Sequence, residues 1–353
     1  MFFNEEISIG NIKVGKGHKP FIVAEMSGNH NQSIERAYEI IDAAAEAGAH
    51  AVKLQTYTPD TITLNIKSED FTIGESLELW KGKSLYELYG EAYTPWEWHK
   101  ELFERCKEKG MLCFSSPFDH TAVDFLEELD VPAYKIASFE CNDIPLIKKV
   151  ARTGKPIIIS TGMASVGEID DAVNAVKSEG NKNLILLKCT STYPADPADS
   201  NIKTISHLSK LFDVPVGLSD HTLGVGVPLS AIALGAVMIE KHFTLSRDDG
   251  GVDSAFSLEP HELRSLVVES ERSWKSLGVV RYGHTNKEAP SLNLRRSLYV
   301  CKGLKKGEKL TPENLRSVRP ALGVEPKFYE QLLDRTVNRD IEAGTPFKWE
   351  YLG

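Results

Sequence analysis

Eight short apolar runs, each closing on polar residues and most followed by a stretch of helical periodicity, recur between Phe21 and Phe243. In order they are Phe21 to Ser27, Ala51 to Thr56, Met111 to Ser116, Ala133 to Ser138, Pro156 to Thr161, Leu184 to Thr190, Val214 to Asp220 and Val237 to Phe243. Segments such as Ile34 to Ala47 and Ala122 to Leu129 lie between them and space their apolar residues at helical intervals. Thr94-Pro95-Trp96-Glu97 has the form of a capping box, which predicts a helix from there to Lys109, ended by Gly110. Eight buried strands alternating with helices predict an α/β fold of the closed (β/α)8 TIM-barrel type, because eight is the closing number; an open doubly wound sheet is the alternative.

Two stretches depart from that rhythm. Tyr57 to Tyr93 is an oversized connection with polar and aromatic residues, Trp80 and Tyr86 among them, and in a barrel it sits over the catalytic face as a lid, a sugar-contacting segment or a plain insertion. After about Gly283 the pattern changes. The expected organisation is a barrel over 1–282, a linker over 283–293 and a small separate domain over 294–353.

Barrel enzymes carry their reactive groups at the C-terminal ends of the strands, and here those ends are polar. They hold Glu25; Lys53 and Gln55; Ser115 and Ser116; Lys135, Ser138 and Glu140; Ser160 and Thr161; Thr190, Ser191 and Tyr193; Ser219, Asp220 and His221; and Glu240, Lys241 and His242. Alternation lets Lys53 and Gln55 share a face, and likewise Glu240 and His242. A buried lysine standing alone is most simply half of an ion pair, but two lysines among several hydroxyls suit a dianionic phosphate beside a carboxylate. His221 and His242 fall on consecutive strands. Either is a hydrogen-bonded core residue, or the pair, with Glu25 and oxygen-rich surroundings, binds one divalent ion. Two imidazoles without a suitable cysteine argue against a structural zinc and for octahedral Mn2+ or Mg2+, or Co2+. Glu140, close to two ammonium groups, is either a general acid or base or their counter-ion. Gly224 and Gly226 offer a weak phosphate-loop signal.

Bulk properties bound the class. A net charge of -9 excludes a broad nucleic-acid surface, while 41% hydrophobic and 26% charged residues supply a sizeable core. Five dispersed cysteines without a CxxC pair fit a reducing compartment. With no basic n-region leading into an apolar stretch at the start, and no run long enough to span a bilayer, the expected location is the cytoplasm, away from membranes.

These polar segments resemble the sialic acid synthase family. The shared stretches are AEMSGNHNQS (24–33), AVKLQT (51–56), FSSPFD (114–119), YKIASFE (134–140), STG (160–162), CTSTYP (189–194), GLSDHT (217–222) and EKHFT (240–244), in order along the barrel. The tail, with RRSLYV (295–300), GEKLT (307–311) and NLRSVRP (314–320), resembles the family's antifreeze-like (SAF) domain. GNHNQS, TPWEWHK and SSPFD are most similar to the branch that makes pseudaminic acid.

The resemblance implies a transferase that condenses phosphoenolpyruvate with 2,4-diacetamido-2,4,6-trideoxy-altrose by C–O cleavage, releasing phosphate. N-acetylneuraminate or legionaminate synthesis is the alternative within the family, and a Schiff-base keto-acid aldolase acting through Lys53 or Lys135 is the alternative outside it. It further implies that Lys53, Ser116, Lys135, Ser138, Ser160, Ser191 and Ser219 hold phosphoenolpyruvate, and that His221 and His242 hold the metal. Gln55, Tyr193 and Asp253 would face the sugar. Glu25, Lys53, Lys135 and Glu140 form the catalytic set, with Glu140 as acid or base. Arg319 matches an arginine that reaches into a partner's site, so a domain-swapped homodimer is implied.

Overall fold

Eight strands are the number at which a parallel sheet can close on itself, and in the computed structural model, which describes residues 2–74 and 80–353, all eight runs become parallel strands of one closed barrel. A hairpin precedes it, β1 (Glu6–Ile9) and β2 (Ile12–Gly15). The barrel strands are β3 (Phe21–Glu25), β4 (Ala51–Thr56), β5 (Leu112–Pro117), β6 (Tyr134–Ile136), β7 (Ile157–Ser160), β8 (Leu184–Cys189), β9 (Val216–Asp220) and β10 (Met238–His242). The ring closes by β10 pairing with β3, His242 beside Glu25, and Glu25 lies in turn beside Lys53 of β4.

The helices of this unit are α1 (Ile34–Ala47), α2 (Pro59–Ile62), α3 (Leu85–Ala92), α4 (His99–Glu108), α5 (His120–Glu128), α6 (Ile144–Arg152), α7 (Val166–Ser178), α8 (Thr204–Phe212), α9 (Gly226–Ala233) and α10 (Pro260–Leu277). They cover the outside, apart from α2 and α3, which belong to the long connection after β4. Ser33 caps α1 by accepting from the Arg36 N–H, and Ile40, Ile41 and Ala44 form the buried stripe facing the sheet. No helix among the described residues is long and apolar enough to cross a membrane.

Two cores result. Outward-facing strand residues such as Ile22, Val52, Leu54, Ile157, Ile159 and Ile239 pack under the helices, and inward-facing ones such as Phe21, Val23, Phe114, Ile158, Ile185 and Met238 fill the barrel axis. Ile7, Ile9 and Val14 of the hairpin join the axial core, so β1 and β2 plug the barrel at the strands' N-terminal end. Each such fully buried aliphatic side chain stabilises by roughly 1.5–3 kcal/mol.

The expected capping box at Thr94 does not form. Thr94 is buried with its hydroxyl 3.2 Å from His30 Nε2, Glu97 is exposed, and a 3-10 turn over Trp96–Trp98 leads into α4 at His99. The tertiary partner outcompetes the local cap. The long connection after β4 holds α2 and α3 as well as irregular chain, and its residues 75–79 lie outside the described residues.

The contacts divide the chain into one unit up to Gly278 and another from Val279. In the second, β11 (Ser297–Val300) and β12 (Leu315–Val318) pair antiparallel, and α11 (Tyr329–Leu332) follows. Its own core gathers Leu298, Val300, Leu310, Leu315, Val337 and Phe347.

Candidate active site

Counting by twos up the strands takes the interior face from apolar to polar. In β3 the order is Phe21, Val23, Glu25; in β4, Ala51, Lys53, Gln55; in β7, Ile158, Ser160; in β10, Met238, Glu240, His242. The apolar lower half is the axial core. The polar upper half opens into a cavity of about 630 Å3, which brings together Lys53, Gln55, Lys135, Ser138, Glu140, Ser160, Ser191, Tyr193, Ser219, His221, His242 and Asp253. Lys241, one residue out of phase, turns away and pairs with Asp220 at 2.9 Å, which is the simple ion-pair outcome for a buried lysine.

The two inward lysines share one carboxylate. Lys135 Nζ is 3.0 Å and Lys53 Nζ 3.4 Å from the same Glu240 oxygen, Oε1, which also accepts from Ser219 Oγ at 3.3 Å. Lys53 also reaches Glu25 at 2.9 Å, and Gln55 donates to the other Glu25 oxygen at 2.8 Å. Burial opposes the charge of Glu240, yet the two ammonium groups hold its carboxyl down at about 2. Glu25 goes the other way: burial outweighs Lys53 and pushes it up to about 7. At neutral pH Glu240 is charged and shared by both lysines, while Glu25, balanced near neutrality, carries part of a second negative charge; an entering anion meets two buried cations already held in place. Glu240 Oε2 and Ser160 Oγ face the pocket without hydrogen-bond partners among the described residues. Glu25 and Ser116 do not line the cavity; they stand behind Lys53 and hold it, Ser116 at 3.4 Å.

The hydroxyl arc depends on a glycine. The short strand β6 gives way to a 3-10 turn over Ser138–Glu140, which lifts Ser138 to the mouth, where its Oγ accepts from the Gly162 N–H at 3.2 Å. A Cβ on Gly162 would fall 2.1 Å from Ser191 Oγ and 2.8 Å from Ser138 Oγ. Without a side chain at 162, two hydroxyls and a backbone N–H converge on one spot. In the sequence, Gly162 shows only as the third letter of STG.

Across the cavity, the His221 and His242 rings lie 5.3 Å apart between centroids. His221 Nδ1 is 2.8 Å from the Thr190 carbonyl oxygen; a carbonyl only accepts, so Nδ1 carries a proton and Nε2 is the nitrogen open to a metal once the ring is neutral, although burial, which lowers its pKa, is outweighed by Cys189 and the Thr190 carbonyl, which raise it. His242 Nδ1 is buried, without a hydrogen-bond partner, and 3.5 Å from Asp253 Oδ2. Burial keeps its imidazole neutral by lowering its pKa well below the usual value, the form a metal requires. Two imidazoles beside a carboxylate, His242 already neutral and His221 giving up its Nε2 proton on binding, fit a divalent ion whose remaining positions are filled by water and substrate oxygens. The carboxylate next to His242 is Asp253, whereas Glu25 is committed to Lys53 and Gln55. Among the described residues, the group of three ligands with all donor atoms within 4.8 Å is Glu259, His261 and Glu262 at the start of α10. None of these lines the cavity, and Arg247 already engages Glu262 at 2.5 Å.

Glu140 sits at the rim with Oε2 unpartnered and buried. Burial first, and Asp143 second, push its carboxyl up to about 7, against the pull of Lys135 and Lys53. A carboxyl balanced at neutral pH is poised to give and take a proton.

Besides Gly162 and the apolar residues of the connection after β4, sequence reasoning missed further contributors. Cys189 lines the cavity with Sγ 3.8 Å from Ser191 Oγ, and Phe256 packs on the His242 ring at 4.9 Å. Met163, with φ 64, projects at the rim. Alternation along β8 was the available signal for Cys189; Phe256 ends a short 3-10 turn over Ser254–Phe256 and Met163 lies in irregular chain. Gly226 opens α9, but neither it nor Gly224 lines the cavity. Arg319 lies in the second unit, exposed and next to the end of β12.

A closed (β/α)8 barrel with a buried lysine pair, a hydroxyl arc, an imidazole pair and a neutral-range carboxyl at the strands' C-terminal ends defines an enzyme for a small, acidic, phosphate-bearing substrate. Comparison with known proteins is specific. Residues 40–282 match the NeuB family and 295–352 the SAF domain. Pseudaminic acid synthase of Campylobacter jejuni is 46% identical over 342 residues, 97% of this chain and 98% of that protein. The Helicobacter pylori pseudaminic acid synthase is 44% identical over 93% of this chain and 96% of its own length. The crystal structure of N-acetylneuraminic acid synthetase from Leptospira borgpetersenii, in complex with citrate, superposes with a TM-score of 0.71 at 37% identity, covering 81% of this chain and 95% of that one. The chain belongs to the NeuB family, whose synthases condense phosphoenolpyruvate with sugars and are generally metal-dependent.

Proposed function

We propose that this enzyme makes pseudaminic acid from phosphoenolpyruvate and 2,4-diacetamido-2,4,6-trideoxy-β-L-altropyranose, releasing phosphate. The observation that carries it is the lysine pair sharing Glu240 Oε1 within one cavity that also holds Glu140 and the two imidazoles. Near-full-length similarity to two pseudaminic acid synthases selects the acceptor.

In this reading Lys53 and Lys135, with Ser138, Ser160, Ser191 and Ser219, bind the phosphate and carboxylate of phosphoenolpyruvate. Ser116 and Glu25 fix Lys53. His221 and His242 would hold a divalent ion, Mn2+ in the first instance, supplying Lewis-acid polarisation of the acceptor aldehyde. Gln55, Tyr193 and Asp253 orient the open-chain sugar. C3 of the enol bonds to the aldehyde carbon, and protonated Glu140 gives the new alkoxide its proton. Water captures the cation at C2, losing a proton to the Glu140 carboxylate, and the tetrahedral C2 expels phosphate with its bridging oxygen as the C2 hydroxyl becomes the ketone carbonyl and its proton passes to the departing phosphate. The lysines stabilise the charge that moves onto the leaving group. We further read the enzyme as cytoplasmic, with its barrel over 1–282 joined by a linker over 283–293 to the SAF domain over 294–353. It acts as a domain-swapped homodimer in which Arg319 serves the partner's acceptor site.

Burial lowers the pKa of Lys135, which gives the Schiff-base aldolase its one supporting observation. Its close pairing with Glu240 works against a free amine. The test is phosphate release from phosphoenolpyruvate by chelator-treated enzyme, with and without Mn2+, offering the trideoxy-altrose sugar and N-acetylmannosamine in parallel. Metal-dependent turnover with the first sugar is expected. Turnover with the second alone moves the enzyme to sialic acid synthesis, and a borohydride-trapped lysine adduct with pyruvate would establish the aldolase.

A further inference from the structure

The cavity has two unlike ends. Its charged groups and serine hydroxyls come from the strand ends and the turns just beyond them, whereas the lining residues described between Tyr57 and Phe118 are apolar or aromatic, with the phenols of Tyr57 and Tyr89 as their side-chain oxygens. The helix α3 turns one face inward: Leu85, Leu88 and Tyr89 follow the i, i+3, i+4 spacing of a single stripe. Ile62 at the end of α2 continues it, and Tyr57 locks the wall in place, its ring 5.6 Å from Tyr89 and 5.1 Å from Phe118. Trp80 closes the side nearest Tyr193 at 5.8 Å and spends its indole N–H on the Val252 carbonyl at 2.9 Å. It therefore shows the cavity only carbon.

An oxygen-rich sugar half has little to gain from the aliphatic stretch of Ile62, Leu85 and Leu88, since each hydroxyl pressed against it loses water without a new partner. Methyl groups gain from the same contact. We propose that this wall selects the acceptor: it takes the methyl-bearing half of a deoxygenated, bis-acetamido sugar, namely the C6 methyl and an acetamido methyl, and discriminates against sugars carrying a C6 hydroxymethyl and a free C4 hydroxyl. The inference rests on the phosphoenolpyruvate-condensing reading above and assigns its acceptor specificity to Ile62, Leu85 and Leu88, contributed by the insertion rather than by the barrel.

The experiment compares kcat/KM for the trideoxy-altrose sugar and for N-acetylmannosamine in the wild type, Leu85→Gln and Ile62→Gln, each checked by melting temperature and by KM for phosphoenolpyruvate. Placing an amide in the wall on either helix should lower the ratio of the two values about tenfold or more, through KM for the trideoxy sugar, with KM for phosphoenolpyruvate within about twofold of wild type. The two variants sit on different helices, so a folded Ile62→Gln decides the matter if Leu85→Gln is unstable. A wild type active on the trideoxy sugar whose ratio is unmoved in the folded variants overturns the wall and leaves the proposed function standing. A wild type active only on N-acetylmannosamine overturns both.

Discussion

Replacing Glu140 by Gln should make the protein more stable at alkaline pH and leave it little changed in acid. Between the ordinary carboxyl value of 4.5 and the folded value of about 7, the folded state binds a proton at Glu140 that the unfolded chain has released. Stability therefore falls as pH rises through this interval. At about 1.36 kcal/mol per pH unit, the gap amounts to on the order of 3 kcal/mol by pH 8. Glutamine keeps the size and lacks the charge, so the difference in unfolding free energy between Glu140→Gln and wild type should grow by about that amount from pH 4 to pH 8. Other titrating groups are common to both proteins and cancel. Urea unfolding of metal-free, ligand-free protein, followed by tryptophan fluorescence, reads it, since Trp80, Trp96, Trp98 and Trp274 all lie in the barrel unit. A difference that stays flat with pH, or that shrinks as pH rises, would show that Glu140 is ionised well below neutrality. Its role as proton donor would then fail.

Lys135→Met removes one charged partner of Glu240 and should weaken phosphoenolpyruvate binding roughly 30- to 100-fold by calorimetry, in line with the loss of one charge-assisted hydrogen bond; an unchanged affinity would place the phosphate elsewhere. Gly162→Ala forces Ser138 and Ser191 apart and should raise KM for phosphoenolpyruvate about tenfold or more while the melting temperature moves little. Loss of His242 in His242→Ala should weaken Mn2+ binding, read by the free-ion signal in electron paramagnetic resonance, by about a hundredfold or more; retention of Mn2+ would send the metal site away from the imidazole pair.

The barrel was legible because its signal is local and repeated. Each strand is an apolar run of fixed length, and the same alternation that hides Ile158 exposes Ser160. For the same reason the lysine pair and the histidine pair could be placed from spacing on known strand ends. What the sequence hid depends on tertiary competition. Thr94 and Glu97 spell a capping box, but Thr94 turns to His30 and the box is lost. The hairpin β1–β2 carried a readable signal in the alternation of EISI and IKVG around Gly10-Asn11, with Gly10 at φ 55, yet nothing local says that it plugs the barrel. Which carboxylate serves which cation was equally hidden, because Glu25 and Glu240 meet around Lys53 only when β3 and β10 close the ring, and Asp253 reaches His242 through the irregular chain after β10.

The central claim is that phosphoenolpyruvate is consumed by attack of its C3 and loss of phosphate through C–O cleavage. Phosphoenolpyruvate carrying 18O in the bridge between C2 and phosphorus tests it directly, with released phosphate weighed by mass spectrometry after turnover with the trideoxy-altrose sugar. The account predicts that the label leaves in phosphate, with C2 of the product taking its oxygen from water. Unlabelled phosphate, with the heavy oxygen kept at C2, would mean P–O cleavage and would contradict the mechanism assigned to this cavity.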